Sequence, residues 1–221
     1  MVLYNAHKPL ISLHVPRCGG TSFQSVLGQW FSTNFYLHYL FGRLNQVPQR
    51  QDFRGGICIH GHFNKRRKVG VLDYYPGAEQ FITILRDPFE VEVSHYFHAK
   101  GLGENRFRDG KPAPIQARFP DVKTYFRWRK SDLRNFFPYE VTLDNYEEMF
   151  EQYFVYVGIT EDLQTSVDML AQRLGFASVP IERLNTSVHD EEVTAELREE
   201  FVRSHPLEYA IYDYAARHYK A

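Results

Sequence analysis

Two histidines flank one glycine in Gly56-Ile57-Cys58-Ile59-His60-Gly61-His62, and they are the residues of this chain best suited to moving a proton. The apolar lead-in reads as a short strand. Side chains of a strand alternate, so His60 and His62 project to the same side. Histidine titrates closest to neutrality and can take a proton from a hydroxyl. Three uses fit the spacing: a general base, a structural pair that satisfies backbone groups near a strand end, or two ligands of a metal. A metal needs further ligands, and no Cys, Asp or His cluster at ligand spacing stands nearby, so no metal is expected.

A second segment is suited to holding an anion. His14-Val15-Pro16-Arg17-Cys18-Gly19-Gly20-Thr21-Ser22 follows the apolar run Leu10-Ile11-Ser12-Leu13 and leads into helix-compatible sequence from Phe23 to Trp30. A strand, a glycine turn and a helix start together aim backbone N–H groups and the helix dipole at a phosphate. Glycines admit close backbone approach, and the Thr21 and Ser22 hydroxyls can add hydrogen bonds. The common nucleotide-triphosphate loop needs Gly-Lys-Ser/Thr after its second spacing. This chain has no such tripeptide, and its cation, Arg17, precedes the glycines.

A third segment places another cation at a strand end. Phe81-Ile82-Thr83-Ile84-Leu85 reads as a buried strand that ends at Arg86, and ligands of open α/β sheets bind at that carboxyl edge. Asp87 suits an N-cap, Pro88 the first helical turn, and Glu90 completes an Asp-x-x-Glu capping box. Ser94 follows Arg86 by eight positions, about two turns into that helix.

In chain order, the loop, then His-Gly-His, then Arg-Asp-Pro, the three segments resemble the sulfotransferases that use 3′-phosphoadenosine 5′-phosphosulfate (PAPS). Their phosphosulfate loops read Pro-Lys-Thr/Cys-Gly-Gly-Thr-Ser, and the His-Gly-His between loop and Arg-Asp-Pro strand is similar to the heparan sulfate and uronyl 2-O-sulfotransferases. The resemblance implies that Arg17, Cys18, Gly19, Gly20, Thr21 and Ser22 surround the 5′-phosphosulfate. It implies that Arg86 and Ser94 hold the 3′-phosphate, and that His62 or His60 is the base, with Arg17 stabilising the departing phosphate. Leu184-Asn185-Thr186-Ser187 resembles a late loop that touches the nucleotide through Asn185 and Ser187. Val157-Gly158-Ile159-Thr160-Glu161 and the closing Leu207–Ala215 helix extend the likeness to about residues 8 to 219. The implied reaction moves a sulfuryl group from PAPS to an acceptor hydroxyl, of a saccharide or glycolipid, and leaves adenosine 3′,5′-bisphosphate. One departure is Arg17, where the family usually has lysine. A small-molecule kinase of the P-loop type, or a catalytically silent nucleotide-binding module, would be the alternatives.

These residues must be positioned by a central parallel sheet flanked by helices, a P-loop-like α/β fold in one domain covering 1–221. Strands are expected at Leu10–Val15, Gly56–His60, Phe81–Leu85 and Phe154–Ile159, alternating with helices. Thr160 is expected to cap a helix that runs to Arg173 and stops at Gly175. The stretch from about 100 to 140 interrupts the alternation: Gly101, Gly103, Gly110, Pro112 and Pro114 read as a loop, Lys123 to Phe136 as a helix, and the whole as an acceptor-binding lid.

Net charge is −1, yet residues 1–138 carry 20 Lys/Arg against 10 Asp/Glu, and 139–221 carry 6 against 17. A basic half around the site would attract a polyanionic donor. The run Lys65-Arg66-Arg67-Lys68 directly follows the histidines and is either a grip on an anion or a solvated loop. No nucleic-acid motif accompanies it, so no nucleic-acid partner is expected. Two cysteines do not make a disulfide scaffold and read as reduced thiols, which with an N-terminus lacking a long apolar stretch gives the expectation of a cytoplasmic protein without a membrane span.

Overall fold

The computed structural model describes residues 1–39, 48–105, 107–108, 111–129, 131–181 and 190–220. The chain begins with β1 (Leu10–Leu13), α1 (Gly20–Phe31), β2 (Phe35–His38), β3 (Cys58–Gly61), the short α2 (Val71–Tyr74), β4 (Phe81–Leu85) and α3 (Pro88–Gly101). A short antiparallel hairpin, β5 (Phe107–Arg108) and β6 (Lys111–Pro112), leads to α4 (Val122–Trp128). It continues through α5 (Tyr146–Tyr153), β7 (Phe154–Ile159), α6 (Leu163–Leu174), α7 (Ala195–Ser204) and α8 (Pro206–His218).

Among the described residues the main sheet has the order β2-β3-β1-β4-β7, and every pairing in it is parallel. This is a parallel α/β sheet with flanking helices. Parallel strands are covered on both faces, which is why they read as unbroken apolar runs. All residues of β1, β3, β4 and β7 are buried. β2 is the exception: it lies at the edge, only His38 is buried, and it carries no comparable apolar signal. The strand expected at Leu10–Val15 ends at Leu13, because the chain leaves the sheet toward Pro16, which has no N–H to continue a ladder. His14 still donates its backbone N–H to the Gly61 carbonyl at 2.9 Å. The strand expected at Gly56–His60 starts at Cys58 and includes Gly61.

Two caps differ in detail from the sequence expectation. Asp87 accepts from the Glu90 N–H at 3.1 Å as an N-cap does. The return bond of the capping box is absent, and the Asp87 N–H donates instead to Glu161 Oε1 at 2.9 Å. Glu90 turns its carboxylate to Arg86 and Arg198, at 3.5 and 3.2 Å, because charged partners hold it more strongly than one amide. Thr160 does not cap α6. Its Oγ1 and its N–H both donate to the Leu85 carbonyl, at 3.0 and 2.8 Å, pinning β7 to the end of β4. Gly175 ends α6 in the left-handed conformation, φ 77°, as expected.

The segment expected to be loop and one long helix is divided. α4 stops at Trp128, and a separate 3-10 turn forms at Leu133–Phe136. Ile115, Phe119, Val122, Tyr125 and Phe126 pack with Phe89, Val93, Tyr96 and Phe97 of α3 and Phe201 of α7 into a second apolar core. The buried Glu92 carboxylate locks this core, accepting from Tyr125 Oη at 2.5 Å and Arg129 Nε at 3.0 Å. A buried charge is tolerated only when its donors are present. Tyr125→Phe is therefore expected to lower unfolding stability by about 1–3 kcal/mol in urea titration; an unchanged midpoint would show that Glu92 does not depend on that hydroxyl.

Candidate functional site

All five strands of the main sheet release the chain at the same edge, and each exit supplies a residue to one region. His14 and the loop to Ser22 follow β1, Tyr39 follows β2, His62 follows β3, Arg86 follows β4, and Thr160-Glu161 follow β7. β1 lies between β3 and β4, where connections run to opposite sides, and ligands of such sheets bind at that place.

The loop after β1 turns through two left-handed residues, Arg17 and Gly19, both with φ 69°. Such a conformation at a bulky non-glycine residue costs about 1–3 kcal/mol and is characteristic of functional sites. It brings the Arg17 guanidinium across to α3, where Nε donates to Ser94 Oγ at 2.9 Å. Arg86 donates from Nη1 to the Arg17 carbonyl at 3.4 Å. The loop arginine, the strand-end arginine and the serine eight residues on thus form one cluster. Burial, then the nearby Arg86 charge, lower the Arg17 proton affinity. Gly19 is the N-cap of α1 and has no side chain to cap it, so the first turn of the helix carries no side-chain cap from that position. Gly20 opens that turn, Thr21 is exposed and Ser22 half-buried in it. The Cys18 thiol faces inward, donating weakly to the Pro16 carbonyl at 3.8 Å, and burial raises its pKa, so it stays a neutral small residue. Asn185 and Ser187 lie outside the described residues, as does Gly110.

The histidines form a larger group than the sequence pair. The His14 ring stacks on His60 with centroids 5.0 Å apart and lies 4.4 Å from His62. Tyr39 closes the group, its hydroxyl 2.8 Å from His14 Nδ1 and its ring edge-on to His62 at 4.8 Å. His60 is buried, and its Nδ1 shares a hydrogen bond with Ser12 Oγ at 2.8 Å. The Nε2 atoms of His60 and His62 are buried with no hydrogen-bond partner. Burial, then the neighbouring His62, push His60 down to about 3. Burial, then Arg67, push His62 down to about 4. His14 is also lowered, by burial and then by His60, His62 and Arg17. All three rings are therefore neutral at pH 7, able to accept but not carrying charge. Sequence reasoning did not select His14 or Tyr39. His14 adjoins the loop and could have been flagged as a third histidine at a strand end; Tyr39 follows the strand that carried no signal.

Of the basic run, Lys65 to Arg67 form a 3-10 turn capped by Asn64. Lys65 donates to the Tyr139 carbonyl at 2.5 Å, Arg66 reaches Asp132 at 4.0 Å, and Arg67 lines a cavity. That cavity, about 60 Å³, opens beside the loop. Pro16, Cys18 and Arg86 form one wall, and Arg129, Asp132 and Phe136 another. Among the described residues, no group of three or more His, Cys, Asp and Glu is arranged to hold a metal ion, and no helix is long and apolar enough to cross a membrane.

A mouse sulfotransferase, SULT7A1, solved in complex with PAP, is a structural neighbour of this chain. The TM-score is 0.47 and the identity 12%, over 90% of this chain and 63% of that one. No protein-family model matches the chain, and no curated protein matches it.

The buried histidines give stability a defined dependence on pH. His38, packed between Phe63 and Tyr74 with neither ring nitrogen partnered, is pushed down to about 4 by burial. Below the ordinary value of 6.5, the unfolded chain binds protons that the folded chain refuses, so stability falls as pH drops from 7 toward 4. A tenfold loss of proton affinity corresponds to about 1.4 kcal/mol. In urea titrations at pH 7 and pH 5, His38→Leu is expected to recover roughly 2 kcal/mol of the acid loss. The same slope in both proteins would place the acid sensitivity elsewhere.

Proposed function

We propose that this site binds PAPS and transfers its sulfuryl group to an acceptor hydroxyl. The observation that carries the reading is the single cluster of Arg17, Arg86 and Ser94 beside the start of α1, with Arg17 Nε 2.9 Å from Ser94 Oγ. Two guanidinium groups and a helix N-terminus converge where a ligand with phosphates at both ends of one nucleoside would lie. Their mutual repulsion is relieved when an anion enters between them. Glu90, the ion-pair partner of Arg86, is shared with Arg198, so Arg86 can exchange it for a phosphate without leaving Glu90 unpaired.

The residues then divide as follows. The first turn of α1, with Thr21 and Ser22, receives the 5′-phosphosulfate, and Arg86 with Ser94 receives the 3′-phosphate. Arg17 stabilises charge on the departing phosphate, as preorganised donors do. His62 takes the acceptor's proton: it is neutral at pH 7, less buried than His60, and its Nε2 lacks a partner that an incoming hydroxyl would supply. His60, held by Ser12, stacks on the His14 ring, which in turn lies 4.4 Å from His62. The acceptor oxygen bonds to sulfur as that proton leaves, and the sulfur–oxygen bond to the 5′-phosphate breaks with its electron pair on the phosphate. The acceptor approaches at the cavity lined by Arg129, Asp132 and Phe136, within the stretch of about 100 to 140 that we propose as its lid, and is a saccharide or glycolipid hydroxyl by the resemblance of the histidine segment.

Calorimetry with adenosine 3′,5′-bisphosphate tests the binding half. Arg86→Ala is expected to lose about 1.5–3 kcal/mol of affinity, the worth of a charge-assisted hydrogen bond, and Ser94→Ala less. His62→Ala is expected to keep the affinity and abolish transfer of label from ³⁵S-PAPS to a panel of polysaccharides, glycolipids and phenols. Unchanged affinity in Arg86→Ala, or a larger thermal shift with ATP–Mg²⁺ than with the bisphosphate, would overturn the reading.

A further inference from the structure

His14 is the histidine closest to where α1 begins, and its surroundings differ from those of the other two. A Cβ on Gly20, the first residue of α1, would stand 1.7 Å from His14 Nε2 and 2.1 Å from Cε1. The imidazole therefore occupies the space that a side chain at Gly20 would fill, at the helix N-terminus itself. The Nε2 atoms of His60 and His62 are buried without a hydrogen-bond partner, and the His14 side chain is half-buried. Its other nitrogen is committed, with Nδ1 2.8 Å from the Tyr39 hydroxyl.

That hydrogen bond sets the tautomer. Of the two, the phenol O–H is the stronger hydrogen-bond donor and the imidazole nitrogen the stronger acceptor, so we assign the shared hydrogen to Tyr39 Oη, with Nδ1 accepting it. Burial raises the Tyr39 pKa further, which keeps the hydroxyl protonated. A neutral imidazole that accepts at Nδ1 carries its hydrogen at Nε2, the atom beside Gly20. The charged form is opposed from every side, by the burial of the ring, by His60 and His62, by Arg17 and by the α1 dipole. Such a ring is a poor base and a good neutral donor, the role a helix N-terminus imposes on a histidine.

We propose that His14 is a catalytic residue of the transfer: its Nε2–H donates a hydrogen bond to the oxygens of the sulfuryl group at the start of α1, while Tyr39 is the positioning residue that fixes this tautomer. The proposal rests on the sulfuryl-transfer reading. No proton changes owner at His14. The acceptor's proton still goes to His62, the new oxygen–sulfur bond forms, and the old one breaks onto the phosphate. His14 only meets charge on the sulfuryl oxygens, and it does so without adding a cation to a site already holding Arg17 and Arg86.

Two measurements test it. Long-range ¹H–¹⁵N correlation spectra of ¹⁵N-labelled protein at pH 7, assigned by loss of one histidine in His14→Gln, are expected to show His14 as the Nε2–H tautomer, with Tyr39→Phe shifting it toward a mixture. An Nδ1–H tautomer in the wild type overturns the proposal whether or not the protein binds nucleotide. The second compares transfer from ³⁵S-PAPS. Glutamine keeps an N–H near the Nε2 position but cannot act as a base. His14→Gln is expected to stay within roughly tenfold of the wild-type kcat, and His14→Ala to lose about 10²–10³-fold, as when an oxyanion donor is removed. Both should bind adenosine 3′,5′-bisphosphate with wild-type affinity. Equal loss in Gln and Ala variants makes His14 a base and overturns the donor role; full activity in His14→Ala removes it from the reaction. A wild type that fails to bind the bisphosphate overturns the transfer reading instead, and leaves the tautomer measurement standing. Should His14→Ala fail to fold, Tyr39→Phe carries the kinetic test: a lower kcat at unchanged bisphosphate affinity is expected, and an unchanged kcat overturns the positioning role.

Discussion

The missing side chain at Gly20 is the constraint on which the rest of this site depends. His14 leaves β1 directly toward the first turn of α1, and its ring lies where any Cβ at position 20 would be. A second such approach stands one strand over. A Cβ on Gly61 would be 1.9 Å from the His38 carbonyl oxygen, so the glycine between His60 and His62 is what lets the end of β2 run against β3. That approach delivers Tyr39 to His14 and closes the ring cluster. The two glycines therefore act on side-chain placement as much as on backbone conformation. Without either hydrogen the rings could not stack at the mouth of the sheet.

Electrostatics then follows from what the cluster excludes. Three imidazoles are held neutral by burial, and the side-chain cations that act on them are Arg17 on His14 and Arg67 on His62. A positive region with no titratable cation inside it is suited to an anion whose charge changes position during reaction. The acidic second half of the chain does not cancel this region. It supplies Glu161, which holds the Asp87 N–H, while Arg198 of α7 pairs with Asp87 at 2.5 Å and with Glu90. The carboxylates nearest Arg86 are thus tied up in holding the start of α3 in place.

Much of this was legible in the sequence, for reasons tied to burial. Strands buried on both faces announce themselves as apolar runs, so four of the five sheet strands were readable within two residues or so at their ends. β2 was not, because an edge strand with one buried residue has no period to detect. The three motifs could be placed at strand ends because glycines, Asp87 and Pro88 mark where strands stop and helices start. What could not be read was lateral: which residue of one exit touches which residue of another. The Arg17–Ser94 bond, the Glu161 substitute for a capping-box return and the Tyr39–His14 bond all join positions far apart in the chain. The packed character of residues 115 to 126 was hidden for a related reason. Its apolar residues are spaced by prolines and charges, and they make a core only against α3 and α7.

Arginine at position 17 also becomes intelligible in these terms. A lysine there presents one ammonium on a flexible stem, whereas the guanidinium has five donors in a rigid fork. Nε alone secures Ser94, so the residue that faces the loop is also the one that ties it to α3. The left-handed backbone at Arg17 is held in place by that tie and by the Arg86 bond to its carbonyl. The same choice has a chemical consequence. Guanidinium does not surrender a proton under physiological conditions, so in the proposed transfer charge building on a departing phosphate would be met by hydrogen bonds rather than by proton transfer. A site built that way gains most from neutral, prealigned donors and least from additional titratable ones, which is the condition the buried histidines and the first turn of α1, with no side-chain cap at Gly19, already meet.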